Sequence, residues 1–148
     1  MSIIEKIQAA EKLHDVVLIG EVLIDKIYDK NSETFKYIMG GSTSNISVNL
    51  KHLGQKPQFF GAVGNDDYGE EILQKLKMND IDISNINICD KETSIVEIDK
   101  SEGSPTPNFF RSSDNQIHFT KELESLIMNS KILHFSYWPL SIEPSKST

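Results

Sequence analysis

Two glycines, Gly40 and Gly41, stand directly before Ser42-Thr43-Ser44-Asn45, and this run is the part of the sequence best suited to holding a polar ligand. Paired glycines let a backbone come close to a ligand, and a helix starting behind them turns its first N–H groups outward. Asn45, in the first turns of such a helix, both donates and accepts hydrogen bonds, which suits a sugar hydroxyl. An ordinary glycine loop before a capped helix explains the same residues, and the local pattern alone favours it. Arg111 closes Asn108-Phe109-Phe110 and is either a ligand-reaching cation or a solvated strand-end residue. Tyr137 and Trp138 follow an apolar run ending at Ser136 and suit either the mouth of a crevice or core packing.

Other chemistry is harder to place. Glu97, Asp99, Glu102 and the pair Asp66-Asp67 are hard oxygen donors, but no calcium-loop spacing links them. A solvated acidic face explains them better, and no metal site is expected. His14, His52, His118 and His134 are scattered without ligand spacing. The single Cys89 allows no internal disulfide and no cysteine-built metal site, and its apolar neighbours suggest a small buried thiol. No Gly-x-x-x-x-Gly-Lys-Ser/Thr segment is present, so a P-loop is excluded.

The elements that must position these residues follow from periodicity. Asp15 to Gly20 is a continuous β-branched-rich run, as in a strand covered on both faces. Two strands and a turn at 29–32 fit the stretch from Val22 to Met39. Ile46, Leu50 and Leu53 then fall at helical spacing, with Ser42, Thr43 and Ser44 as candidate caps and Gly54 as the stop. Gln58 to Gly64 reads as a second buried strand, Asn65 to Gly69 as a turn with an N-cap, and Glu70 to Met78 as a helix. Thr93 to Asp99 alternates and, with Asn108 to Arg111, forms a hairpin with one wet face. Lys121 to Met128 gives a helix and Lys131 to Ser136 a strand, followed by a helix start at 143–148. Strand alternating with helix is the grammar of an α/β fold with a parallel sheet. A last strand with no covering helix predicts a chain that ends inside a domain.

Composition narrows the function classes. The 148 residues carry 15 basic and 22 acidic side chains, a net charge of −7, with no basic cluster to meet a phosphate backbone. Nucleic acid is therefore not an expected partner. The apolar run Val16 to Ile19 is far too short to span a bilayer. The first 15 residues read as an amphipathic helix rather than a signal peptide, so neither a membrane nor export is expected and the expected location is the cytoplasm.

Taken in order, Gly20-Glu21-x-x-x-Asp25, Gly40-Gly41 through Asn45 to Leu53-Gly54, and Gly61-x-Val63-Gly64-x-Asp66-x-x-Gly69 resemble the N-terminal half of the ribokinase/PfkB family of carbohydrate kinases. Each motif alone is weak; the ordered set, spanning about residues 15–144, is specific. The resemblance implies a ribokinase-like three-layer α/β/α parallel sheet with a small inserted β lid, lacking its C-terminal half. One domain would then fill 1–148, with lid segments at about 22–38 and 93–111. Asp25 matches the aspartate at the end of the family's first strand, whose carboxylate accepts sugar hydroxyls. Gly40, Gly41 and Asn45 match the contacts on the sugar's other face, and Arg111 lies where an arginine reaches the substrate in members acting on fructose or acidic sugars.

The family's aspartate base, its Gly-Ala-Gly-Asp-type anion hole and its nucleotide site have no match after Asp114. ATP and Mg2+ are thus expected for the complete enzyme and not for these 148 residues alone, which carry no catalytic residue. The resemblance implies an N-terminal part of an ATP-dependent, fructokinase-like sugar kinase, inactive by itself, with a possible homodimer through the lid. A non-catalytic sugar-binding or dimerising module, and a nucleoside kinase of the same family, are the alternatives.

Overall fold

The computed structural model describes residues 14–29, 32–99 and 105–147. The expected N-terminal helix and the middles of the turns at 29–32 and 100–105 lie outside the described residues. The strands β1 (His14–Ile19), β4 (Pro57–Gly64), β5 (Ile86–Cys89) and β8 (Ser130–Phe135) form one parallel sheet in the order β5-β4-β1-β8. The central β1 shows why its residues are continuously apolar. Val16 and Leu18 enter a core shared with Phe59, Val63, Ile72 and Leu76, while Val17 meets Phe60 and Leu123 on the opposite face. Helices α1 (Ser42–His52) and α2 (Asp67–Met78) cover the first face and α3 (Lys121–Met128) the second, which makes three layers. Each large side chain fully buried in this way contributes about 1.5–3 kcal/mol.

A second sheet has the order β3-β2-β6-β7, and its Ile24 enters the core of the first. Its strands are β2 (Leu23–Asp29), β3 (Thr34–Gly40), β6 (Ile95–Asp99) and β7 (Thr106–Phe110). β2–β3 and β6–β7 are antiparallel hairpins, joined by a parallel pairing of β2 with β6 that sets Asp25 between Ile38 and Val96. The two ends of the β6–β7 hairpin are tied to the α/β layers by polar networks. Asp66 caps α2 by accepting from Gly69 N at 2.8 Å and also accepts from Thr93 N at 2.7 Å and Thr93 Oγ1 at 2.6 Å. On the return path Asp114, fully buried, accepts from Ser94 Oγ at 2.7 Å and from Arg111 Nε and a terminal guanidinium N at 2.9 and 2.6 Å.

The structure corrects the sequence in several places. Asp25 lies within β2, the second strand, and not at the end of the first. Gly41, with no side-chain bond, occupies the N-cap of α1, while Ser42 is already helical and Thr43 and Ser44 are buried. Leu53 is the C-cap and 74% exposed, whereas Ile46 and Leu50 pack partly buried against the core beside the buried Thr43, Ser44 and Ser47. Cys89 is only half-buried, at the last position of β5, where its thiol donates to the Val63 carbonyl at 3.3 Å. A short helix, α4 (Tyr137–Leu140), follows β8, and the helix start expected at 143–148 is a single 3-10 turn at Ser145–Ser147. No described helix is long and apolar enough to cross a membrane.

Candidate functional site

β1 and β8 are neighbours in the sheet, and the chain runs from β1 towards β4 and β5 on one side and reaches β8 on the other. Strand order therefore reverses between β1 and β8, and the loops at their carboxyl ends splay apart to leave a crevice. A crevice of 390 Å³ lies there. Glu21 follows β1, Ser136 follows β8, Gly41 and Ser42 begin α1, and Leu23, Asp25, Val96 and Phe109 of the second sheet complete the wall with Trp138.

Asp25 and the glycine pair fit one another by shape. A Cβ on Gly40 would lie 2.3 Å from Asp25 Oδ2, so only glycine leaves room for that carboxylate across the β2–β3 hairpin. Gly41 has φ = 104°, a conformation that other L-residues rarely adopt. That turn redirects the chain from β3 into α1 and sets the helix N-terminus on the crevice wall. The glycine pair thus does two jobs, one for the carboxylate and one for the helix.

Glu21 is the residue whose importance the sequence did not reveal. It is 6% exposed, and its Oε1 accepts from Ser42 N at 2.9 Å and Ser42 Oγ at 2.6 Å. The carboxylate therefore answers the first N–H of α1 and its positive dipole end. Its Oε2 has no partner among the described residues. Thr43 Oγ1 is the other buried oxygen in that condition, wedged against Gly20. The available signal was Glu21's place between a buried strand and the apolar run Val22-Leu23-Ile24, an environment that admits a carboxylate only with a partner.

The remaining candidates fall at different distances from this wall. Asn45 is exposed on the first turn of α1 and is not among the wall residues. Arg111 lines a separate recess with Glu92, Thr93 and Glu97, yet reaches the wall indirectly. Its guanidinium donates to Asp114, to the Trp138 carbonyl at 2.6 Å and to Ser141 Oγ at 2.8 Å, and lies 4.4 Å from the centre of the Trp138 ring. Phe109 also packs against Trp138, with ring centres 4.8 Å apart. Trp138 is thereby fixed as an aromatic wall facing the carboxylates, while Tyr137 is 79% exposed beside it.

With this arrangement established, comparison with known proteins is specific. The sequence profile described as "pfkB family carbohydrate kinase" matches residues 13–147. The chain belongs to the pfkB family of carbohydrate kinases. An ATP-dependent 6-phosphofructokinase of Thermoanaerobacterium thermosaccharolyticum is 42% identical over 149 residues, which cover 97% of this chain and 46% of that protein. The fructokinase of Halothermothrix orenii superposes with a TM-score of 0.79 at 31% identity, covering 90% of this chain and 50% of the other. A sugar kinase of Pyrococcus horikoshii solved in complex with ATP gives 0.77 at 27% identity, covering 90% and 46%. The pfkB chain described here thus spans about half the length of the relatives it matches.

The family uses ATP, but the crevice wall is not built for a triphosphate. Two carboxylates face it and no Lys, Arg or His does, and Glu21 already takes the first N–H of α1 that an anion would need. Among the described residues no three His, Cys, Asp or Glu side chains gather as metal ligands. What the wall offers is carboxylate acceptors, a helix N-terminus and an aromatic face, which together suit a neutral polyhydroxy ligand.

Proposed function

We propose that this chain forms the sugar-binding side of an ATP-dependent kinase that phosphorylates a hydroxyl of a fructose-like sugar. The observation that carries the proposal is the fit of Asp25 against Gly40 at a crevice wall that also holds the start of α1. Asp25 accepts hydrogen bonds from sugar hydroxyls, and Gly40 and Gly41 let the backbone approach; Asn45, outside the wall on the first turn of α1, reaches the sugar only from the rim. Arg111 acts on the sugar through Trp138, whose ring it holds in place. The names of relatives, a 6-phosphofructokinase and a fructokinase, support the sugar class.

The second sheet serves as the lid over the sugar. Its closure excludes water, which would otherwise compete with the sugar hydroxyl for the phosphoryl group. Phe35, Ile38 and Phe110 on its strands are about half exposed, and a homodimer through this sheet would cover them. The catalytic base and the Mg2+–ATP site belong to residues beyond these 148, so the chain alone binds sugar without turning over ATP, in the cytoplasm.

The test begins at the gene. A reading frame continuing past the codon for Thr148 into a Gly-Ala-Gly-Asp-type segment, whose full product consumes ATP in the presence of fructose, is the expected result. A stop with no such segment nearby, or fructose-dependent ATP turnover by the 148 residues alone, overturns the proposal as stated.

A further inference from the structure

We propose that Glu21 is a second sugar-hydroxyl acceptor beside Asp25, and that together they make this wall select an uncharged polyol edge. The proposal rests on the sugar-binding function above and adds a residue and a ligand chemistry to it. Glu21 is nine-tenths buried at the crevice with one carboxylate oxygen spent on Ser42 and the other without a partner among the described residues. A buried carboxylate oxygen with no donor is costly, and the cost disappears when a ligand supplies the donor. Oε1 is held by two donors from the first residue of α1, which leaves Oε2, buried under the crevice wall, as the oxygen a ligand hydroxyl would reach by displacing the side chains that cover it.

The chemistry of the donor follows from the rest of the wall. Leu23, Val96, Phe109 and Trp138 carry no charged group, and Ser42 and Ser136 are hydroxyls. Glu21 and Asp25 are carboxylates on a wall whose lining includes no Lys, Arg or His, so a phosphate or carboxylate of the ligand is disfavoured here. A pair of sugar hydroxyls, each donating one hydrogen bond to a carboxylate, fits both. In a phosphorylated sugar the phosphate must point away from this wall.

The experiment uses the full 148-residue chain and fructose as the probe, read by calorimetry. Glu21→Gln keeps an oxygen for Ser42 and replaces Oε2 by a donor. We expect fructose affinity per folded molecule to fall about 10- to 100-fold. A series of monodeoxy fructose analogues separates contact from mere helix support. At least one analogue should bind the unsubstituted chain much more weakly than fructose and bind E21Q about equally to fructose. In the unsubstituted chain, where folding of the variant is not at issue, fructose should also shift the carbon-13 resonance of the Glu21 carboxyl. Fructose binding with equal affinity in E21Q, or without any carboxyl shift, overturns the Glu21 assignment and leaves the sugar-binding function standing. No binding of fructose by either chain overturns both.

Discussion

Two buried carboxylates in this chain have opposite surroundings. At the base of the second sheet, Asp114 is fully buried and both its oxygens are occupied, Oδ1 by Ser94 and Ser112 and Oδ2 by Arg111. At the crevice, Glu21 has one occupied oxygen and one without a partner among the described residues. Protein groups saturate the first and leave the second incomplete. Buried charge that is fully paired holds a structure in one arrangement, whereas buried charge left partly unpaired marks where a partner from outside is expected.

The largest effect should come from breaking the saturated network. Asp114→Ala leaves the Arg111 guanidinium without its carboxylate and should cost about 3–5 kcal/mol of stability, measured by urea unfolding. A loss below about 1 kcal/mol, the range of an exposed pair, would mean that Asp114 does not anchor the second sheet as a saturated buried charge. Next comes the crevice itself. Gly40→Ala drives a methyl group to within 2.3 Å of Asp25 Oδ2 and should lower fructose affinity about 10- to 100-fold by displacing the carboxylate. Calorimetry showing unchanged affinity in G40A would separate Asp25 from sugar binding.

Asp66 gives a smaller effect with a pH signature. Burial pushes its pKa up, but hydrogen bonds from Thr93 and Gly69 pull it down further, so it ends below the usual aspartate value. Its stabilising contribution is therefore complete above the ordinary carboxyl range of about 4 and is lost as pH falls through the depressed folded value. Asp66→Asn should lose about 1 kcal/mol near neutral pH, as for a weakened helix cap, and its thermal midpoint should fall less steeply than that of the unsubstituted chain on acidification. Parallel pH curves would show that Asp66 contributes no charge-dependent anchoring. The smallest effect is on the surface. Glu71→Ala breaks the Lys75–Glu71 pair on the exposed side of α2 and should cost about 0.3–0.5 kcal/mol.

Much of the α/β frame was legible because local pattern and burial agree. The apolar run before Gly20 predicts a strand covered on both faces, and β1 has helices above and below. The N-cap expected within Asn65 to Gly69 is present at Asp66, with α2 starting at Asp67, three residues earlier than the spacing suggests. At α1 the pattern held for Ile46 and Leu50 and failed at Leu53, which is exposed, while the fully buried positions are Thr43, Ser44 and Ser47. Small polar residues there allow close packing that hydrophobic spacing cannot register. The site was legible at Asp25, Gly40 and Gly41, which the structure brings to one place. Asn45 and Arg111 are more distant, and Glu21 was recorded only as part of a motif.

Most of the strands and helices, the glycine turn before α1 and the family are legible in the sequence by itself because they depend on neighbouring residues and their spacing, although β5 and α4 were not. Which carboxylates are complete follows only from how the folded chain brings distant segments together. Ser42 lies 21 positions from Glu21, Ser94 lies 20 from Asp114, and Trp138 lies 27 from Arg111. Whether an oxygen buried at such a crossing has a donor depends on which distant segments the sheets bring together, and no local pattern in the chain encodes that.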